Sequence, residues 1–260
     1  MSTDTPAGAP LLEARGLVKT YGRVRALRGA SFTVNPGEVV ALVGDNGAGK
    51  STLTKCLAGV IAPEAGEIRM DGERVHLDSP ITAMRHGIET VYQDLALAGD
   101  LEAAANLYLG RELVKPGVLG ALGVLDRGRM RREASQAFAN LGIELQDVKA
   151  SIASLSGGQR QSVAVARSVV WASKVVLLDE PTAALGVVQR GRVLDLVRRV
   201  RDNGVSVVLI SHNMPEVLQV ADRVEVLRLG ARVARFRAAD TTLEQLVAAM
   251  TGALTQEDAS

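Results

Sequence analysis

The sequence predicts an α/β fold built on a largely parallel sheet, with an antiparallel β subdomain and a helical insert subdomain. Three short apolar runs, at 38–43, 175–178 and 205–210, are typical of strands buried on both faces. The last two each follow a helical stretch, and such strand–helix alternation indicates a parallel sheet. Between about 94 and 154 the strand signal is absent, which predicts the helical insert.

The first part of the chain is predicted to form antiparallel strands. Residues 11–34 alternate loosely and carry Gly and charge, as an antiparallel edge sheet does. Residues 67–75 fit two short strands around the Asp71-Gly72 turn. Ile88 to Tyr92 is a further short strand. These segments make up the predicted β subdomain and one edge of the core.

Helices fill the insert and close the chain. We expect helices at 101–111 and 129–142, joined by a Gly/Leu-rich loop at 116–123, then a hairpin at 224–236 and a helix at 242–250. The expected organisation is a single domain, 11–254. Residues 11–93 and 155–254 form its core with the β subdomain, and 94–154 form its helical subdomain. Residues 1–10 are expected to be a disordered lead-in, and 255–260 a polar tail.

Composition narrows the class of protein. The chain has 260 residues and a formal net charge of +1, which gives no electrostatic reason to expect nucleic acid as a partner. No stretch approaches the ~18 apolar residues of a membrane span, and the N-terminus lacks the features of a signal peptide. The single cysteine, Cys56, fits a reducing cytosol and a buried, apolar position.

A glycine-rich turn follows the first buried strand. Residues 44–52 read GDNGAGKST, and Gly44-x4-Gly49-Lys50-Ser51 matches the phosphate-binding pattern in full. Backbone N–H groups of such a turn, together with the helix N-terminus behind it, hold an anion. Lys50 is expected to contact the β- and γ-phosphates of a nucleotide and Ser51 a Mg²⁺ ion. The full predicted set is Gly44, Asp45, Asn46, Gly47, Ala48, Gly49, Lys50, Ser51 and Thr52.

Two acids end the strand at 175–178. A buried strand that delivers carboxylates at its C-terminal end suits the ligand crevice of an α/β sheet. Asp179 is expected to order Mg²⁺ and its water shell. Glu180, one residue further, is expected near the γ-phosphate, where it polarises an attacking water.

A second candidate anion site lies at Ser156, Gly157, Gly158 and Gln159, which lead into a helix. A serine with glycines is also ordinary helix-start chemistry. One chain rarely needs two phosphate cradles for one nucleotide. We therefore expect the second cradle to serve a nucleotide bound to another subunit.

The order of these motifs resembles the ATP-binding cassette (ABC) ATPase family, because LSGGQ at 155–159 lies between the phosphate loop and Asp179-Glu180. The resemblance covers about 11–250 and implies a P-loop NTPase core with ATP and Mg²⁺ as ligands. It implies that Tyr21 stacks on adenine and that Gln93 touches Mg²⁺ and relays to a membrane partner. It also makes His212 the switch histidine beside the γ-phosphate. A core tyrosine and a structural histidine are the alternatives for Tyr21 and His212.

Within the family, the segment 180–185 is where two subunits touch. The family usually continues this segment with Asp, whereas Gly186 follows Leu185 here. The resemblance implies pairing with a second copy, or with a second cassette subunit. Each ATP would then be held by 44–51 of one copy and capped by 156–159 of the other.

Four stretches, at 91–97, 106–112, 169–174 and 181–186, resemble the cassettes of monosaccharide importers. They imply the ATP-hydrolysing subunit of a bacterial importer at the cytoplasmic face of the inner membrane. Its partners would be integral permease subunits and, indirectly, a periplasmic sugar-binding protein. The permease contacts would be Leu97, Leu101, Leu107, Tyr108 and Leu109, unless these form the core of the insert.

The alternative is a soluble ABC-type ATPase that acts on nucleic acid or ribosomes. The chain has no heptad run and no basic tract to support that reading. A small-molecule kinase or a GTPase switch is a third reading, and it gives no reason for the LSGGQ sequence.

Overall fold

A computed structural model describes residues 9–92, 95–145, 147–183 and 185–254. In chain order its strands are β1 (Leu12–Tyr21), β2 (Val24–Val34), β3 (Val39–Val43), β4 (Ala65–Met70), β5 (Glu73–Val75), β6 (Ile88–Val91), β7 (Val175–Asp179), β8 (Ser206–Ile210), β9 (Arg223–Arg228) and β10 (Ala231–Arg237). The helices are α1 (Lys50–Leu57), α2 (Pro80–Arg85), α3 (Ala103–Leu107), α4 (Val118–Ala121), α5 (Arg127–Asn140), α6 (Gly157–Trp171), α7 (Val187–Asp202), α8 (Met214–Val220) and α9 (Leu243–Thr251). Short 3₁₀ turns lie at Ile152–Ser154 and Ala238–Asp240.

The strands form two sheets, as the sequence predicts. The larger sheet has the order β10-β9-β3-β8-β7-β6. Its strands from β9 to β6 pair in parallel, and β10 pairs antiparallel to β9. The smaller sheet, in the order β2-β1-β4-β5, is antiparallel throughout. The prediction of a largely parallel core with an antiparallel β subdomain is therefore confirmed.

The central strands are buried on both faces, which explains their unbroken apolar runs. Along β7, Val175 and Leu177 pack with α1 and the antiparallel sheet, whereas Val176 and Leu178 pack toward the helices on the other face. The second face is a continuous apolar cluster that includes side chains of α3, α5, α6 and α7. The helical insert therefore shares a core with the main sheet.

One predicted helix of the insert is shorter than expected. The sequence suggests a helix over 101–111, but α3 extends only from Ala103 to Leu107. Its start is set by an isolated bridge between Glu102 and Ser151, because the N–H of Ala103 then donates to the Ala150 carbonyl. Beyond its end, Gly110 has a φ of +79°. Tertiary hydrogen bonds thus replace the outer turns.

The loop expected at 116–123 also differs, because it contains the single turn α4. Helices α1, α5, α6 and α9 lie within a few residues of their predicted positions, and α7 is the helical stretch expected before the strand at 205–210. Helices α2 and α8 were not predicted. The predicted boundary between the core and the helical subdomain falls between residues 93 and 94. Both residues lie outside the described residues.

The C-terminal hairpin, β9 and β10, reaches the glycine-rich turn at the end of β3. The N–H of Gly230 donates to the Ala48 carbonyl at 2.9 Å, and the N–H of Arg28 donates to the Gly230 carbonyl at 2.7 Å. Leu227 lies against Gly44. Segments far apart in the sequence therefore hold this turn in place.

Candidate functional site

The turn after β3 passes close to neighbouring backbone at one glycine and faces open space at another. Gly44 has a φ of +152°, and a Cβ there would lie 2.2 Å from the Leu227 carbonyl oxygen. Gly47 has a φ of +80°, and a Cβ there would meet no atom within 4 Å. The turn is therefore pressed against the hairpin on one side and open on the other.

Helix α1 begins at Lys50 with a free N-terminus. Its N-cap residue, Gly49, supplies no side-chain hydrogen bond, whereas Ser156 and Asn213 cap α6 and α8 through their side chains. The N–H groups of a helix's first turn have no intrahelical acceptor. Together with the helix dipole they suit an anion of phosphate size at the start of α1.

Lys50 folds over this turn. Its Nζ donates to the carbonyl oxygens of Gly44 at 2.6 Å and Asp45 at 3.0 Å. Partial burial lowers the pKa of Lys50, and the carboxylates of Glu180, Asp45 and Asp179 act in the opposite direction. Lys50 of the loop and the acids at the end of β7, Asp179 and Glu180, are thus close enough for electrostatic interaction.

The register of the sheet brings the predicted acids to the loop. Ile210, the last residue of β8, pairs with Leu42 of β3 on one side and with Asp179 of β7 on the other. The carboxyl ends of the three strands therefore lie at the same level, as in other α/β crevices. Burial raises the pKa of Asp179, and the neighbouring Glu180 raises it further.

The donors present fit Mg²⁺ bound together with phosphate. Within residues 9–92, 95–145, 147–183 and 185–254, no cluster of three or more His, Cys, Asp or Glu residues could hold a metal by itself. Asp179 at the strand end and the exposed hydroxyl of Ser51 are hard oxygen ligands of the kind Mg²⁺ uses alongside substrate phosphates. Gln93, the third predicted ligand, lies outside the described residues.

Glu180 and His212 meet directly. His212 Nδ1 lies 2.8 Å from Glu180 Oε2, and the Glu180 side chain is 16% exposed. Glu180 has a φ of +51°, which is unusual for a non-glycine residue, and its N–H donates to the Ile210 carbonyl at 2.9 Å. The two predicted catalytic residues therefore form one pair beside the phosphate loop.

A residue that the sequence analysis missed lies beside this pair. Glu216 is buried on α8 and accepts a hydrogen bond from Thr182, which is two residues after Glu180. The only local signal was the spacing Asn213-x-x-Glu216, which is typical of a helix start. Nothing in the sequence shows that a residue 34 positions away bonds to that carboxylate.

The second candidate cradle lies in a different cavity. Ser156 and Gln159 form a reciprocal capping box at the start of α6. The adjoining cavity of about 280 Å³ is lined by residues 141–144, α6 and α7, and by no residue of the loop at 44–52. A single copy therefore does not place both predicted phosphate cradles around one cavity.

The remaining predicted contacts divide into exposed and buried residues. Tyr21 is 47% exposed, so the core alternative for it is wrong, and Lys19 Nζ lies 5.9 Å from its ring centroid. In the insert, Leu101 and Leu109 are exposed and Leu97 is partly buried.

Leu107 and Tyr108 are buried in the insert, so their prediction as permease contacts is wrong. They pack on Trp171, whose Nε1 donates to the Leu107 carbonyl and whose ring meets that of Tyr108 edge-on.

Cys56 is buried as expected, and burial raises the pKa of its thiol to about 11.

No helix in the described part of the chain has the length and apolar character needed to cross a bilayer.

A family model described as ABC transporter matches residues 27–183. The fructose import ATP-binding protein FrcA of Rhizobium meliloti is 51% identical over 95% of this chain and 96% of its own length.

Two other relatives differ in how much of their length is matched. The xylose/arabinose import ATP-binding protein XylG of Sulfolobus acidocaldarius is 43% identical over 93% of this chain and 94% of its own length. The ribose import ATP-binding protein RbsA 1 of Rubrobacter xylanophilus is 43% identical over 95% of this chain, which spans only 48% of that protein.

A solved structure agrees with the fold. An ATP-binding cassette of an ABC transporter in its ADP conformation superposes with a TM-score of 0.79, covering 93% of this chain and 95% of that one at 24% identity.

Proposed function

The chain belongs to the ABC transporter family of ATP-binding proteins, and from that premise we propose that it binds and hydrolyses ATP to drive import of a monosaccharide. The observation that carries the ATPase chemistry is the convergence of Lys50, Asp179, Glu180 and His212 on the free N-terminus of α1. The relatives named for fructose and for xylose/arabinose import, which match nearly the whole chain, support the class of cargo.

In this proposal each residue has a defined task. The N–H groups of 44–52 and the Lys50 ammonium bind the phosphates of ATP, and Tyr21 stacks on the adenine. Ser51, Asp179 and Gln93 hold Mg²⁺, which neutralises phosphate charge when it is bound. Glu180 accepts a hydrogen bond from the attacking water, and His212 orients Glu180 and contacts the γ-phosphate side of the site.

We propose that the working unit is a dimer of this chain or a pair with a second cassette subunit. The separation of 156–159 from the phosphate loop within one copy supports a site shared between two. In such a site Ser156, Gly157, Gly158 and Gln159 of one copy cap the ATP of the other. ATP that binds the closed arrangement better than the open one favours closure, and hydrolysis removes that preference.

The subunit-contact segment departs from its usual chemistry in a consistent way. Gly186 takes the place of an acid, and the next two residues, Val187 and Val188, are 80% and 67% exposed. When two copies close, Val187 and Val188 would make apolar contacts at a place where other members of the family have an acid that binds water. We infer that this part of the interface is drier than is usual for the family.

The insert offers a place for permease subunits. Leu101, Leu109 and Leu125 line a groove of about 350 Å³, with Asp100 and Arg127 also among its lining residues. A groove that presents both apolar and charged side chains suits a short amphipathic helix. We propose that permease loops dock here, that 94–154 moves with them, and that the subunit lies at the cytoplasmic face of the inner membrane. A periplasmic sugar-binding protein would deliver the cargo.

Glu180→Gln tests the proposal. Removing the carboxylate that receives the water's proton should abolish turnover and leave ATP binding intact, so that ATP traps a dimer. Tagged Glu180→Gln, expressed in its own host and solubilised with ATP, should co-purify with a polytopic permease identified by mass spectrometry.

Lys50→Ala is the matched control, because it loses a phosphate contact and should trap no dimer. Co-purification of ribosomes or nucleic acid in place of a permease would leave the ATPase chemistry and overturn the importer assignment.

A further inference from the structure

Glu216 carries a buried carboxylate that the assigned tasks do not explain. The residue is 8% exposed and lies in the first turn of α8. A carboxylate withdrawn from water costs free energy unless hydrogen-bond donors surround it. The donors to the Glu216 carboxylate come from several segments of the chain.

Among the residues that the structure describes, three donors reach the Glu216 carboxylate, and each comes from a different element. Thr182 Oγ1 donates to Oε2 at 2.5 Å, and Asn213 Nδ2 donates to Oε1 at 2.8 Å. Arg190 Nη1, from α7, lies 3.4 Å from Oε1. One carboxylate therefore joins the segment after β7, the start of α8 and the first turn of α7.

Two of these donors adjoin the catalytic pair. Thr182 follows Glu180 by two residues, and Asn213 directly follows His212. Glu180 has a left-handed backbone, a conformation that persists only when its surroundings hold it. The His212 side chain is 73% exposed, so packing does not fix its position.

We propose that Glu216 is a positioning residue for ATP hydrolysis, which holds Glu180 and His212 together by binding Thr182 and Asn213 on one carboxylate. The inference rests on the proposed ATPase activity. Glu216 touches neither nucleotide nor water in this role, and it acts only through the two neighbouring segments.

The carboxylate cannot be replaced by an amide of the same shape. Glutamine at 216 would present an NH₂ group to one of the donors. Arg190 would also lose its carboxylate, and its buried Nε already lacks a hydrogen-bond partner among the described residues. Glu216→Gln should therefore disrupt the hydrogen bonds that Thr182, Asn213 and Arg190 make to this side chain, although the substitution conserves volume.

The experiment compares kcat and KM for ATP in the full chain. Glu216→Gln and Thr182→Val should each lower kcat about tenfold, with KM and ATP stoichiometry within about twofold of the wild type. Thr182→Ser keeps the hydroxyl and should retain kcat within about twofold. The double variant Thr182→Val/Glu216→Gln should be no slower than the slower single variant, because both remove the same link.

The outcomes separate this role from simple stability. A purely structural Glu216 would lower the ATP-binding stoichiometry and leave kcat per bound site unchanged, which would overturn the proposal. Multiplicative losses in the double variant would also overturn it. If the wild type hydrolyses no ATP, the proposed function itself fails. If it does and the variants match it, only the positioning role fails.

Discussion

Two of the three glycines of the phosphate loop, Gly44 and Gly47, give a sharp prediction, because the same substitution should have opposite consequences at each. Gly44→Ala forces a Cβ to within 2.2 Å of the Leu227 carbonyl oxygen, more than 1 Å inside ordinary contact, at a φ of +152°. Backbone strain of this kind costs about 1–3 kcal/mol before any steric overlap is counted. We expect Gly44→Ala to lower the free energy of unfolding by about 3 kcal/mol or more.

Gly47→Ala is the matched variant. Its φ of +80° carries a cost of about 1–2 kcal/mol for a non-glycine residue. Its Cβ meets no protein atom, so no overlap adds to that cost. It would face open space, and we propose that the phosphates of ATP bind on that side of the turn. We therefore expect Gly47→Ala to keep most of its stability and to lose most of its ATP affinity.

One measurement on the nucleotide-free protein and one with ATP test this reasoning. Urea unfolding should separate the variants by about 2 kcal/mol, with Gly44→Ala the less stable. Calorimetric titration with ATP should show the larger affinity loss per folded molecule in Gly47→Ala. Equal destabilisation of both variants, or intact ATP binding in Gly47→Ala, would refute the assignment of the two sides.

Three further predictions concern single residues of the site. Lys50→Ala should weaken ATP binding at least about tenfold in titration calorimetry, since a charged contact to phosphate is lost; unchanged affinity would remove Lys50 from the site. Ser156→Arg should stop turnover while monomer ATP affinity stays normal, at a stability cost of about 1 kcal/mol for the lost cap; full activity would exclude the shared site. Asp179→Asn should stabilise the nucleotide-free protein at pH 7, because the folded chain holds the pKa of Asp179 above its usual value. That advantage should shrink as pH falls through the raised folded-state pKa toward the unfolded-state pKa of ~4, and it should vanish below that pH, where the wild-type carboxyl is protonated in both states. A constant advantage at all pH values would contradict the cause given.

The sequence predicts the core and the phosphate loop because their signals are local. An apolar run without polar alternation indicates a strand buried on both faces, and β3, β7 and β8 lie where those runs occur. Glycines before a lysine and a serine indicate an anion loop by backbone chemistry alone. The same locality places Asp179 and Glu180 at a strand end.

Tertiary contacts account for what the sequence could not give. The Asn106 side chain accepts a hydrogen bond from the N–H of Ala98 and donates one to the Ala98 carbonyl. These bonds hold the chain before α3 in a loop, where the sequence predicts the first turn of a helix over 101–111. Which of Leu107 and Leu109 faces the core depends on where Trp171 packs, 60 or more residues away. The Thr182–Glu216 bond likewise joins segments whose separate patterns carry no sign of each other.

The hydrogen bond from Gly230 to Ala48 has a consequence for synthesis of the chain. Gly230 follows Lys50 by 180 residues. At ordinary elongation rates the ribosome needs roughly 10–35 s to cover that distance. Throughout that interval the phosphate loop exists without the hairpin that supports it. A nascent chain that ends before β9 should therefore not retain ATP, and acquisition of nucleotide reports that translation of the hairpin is complete.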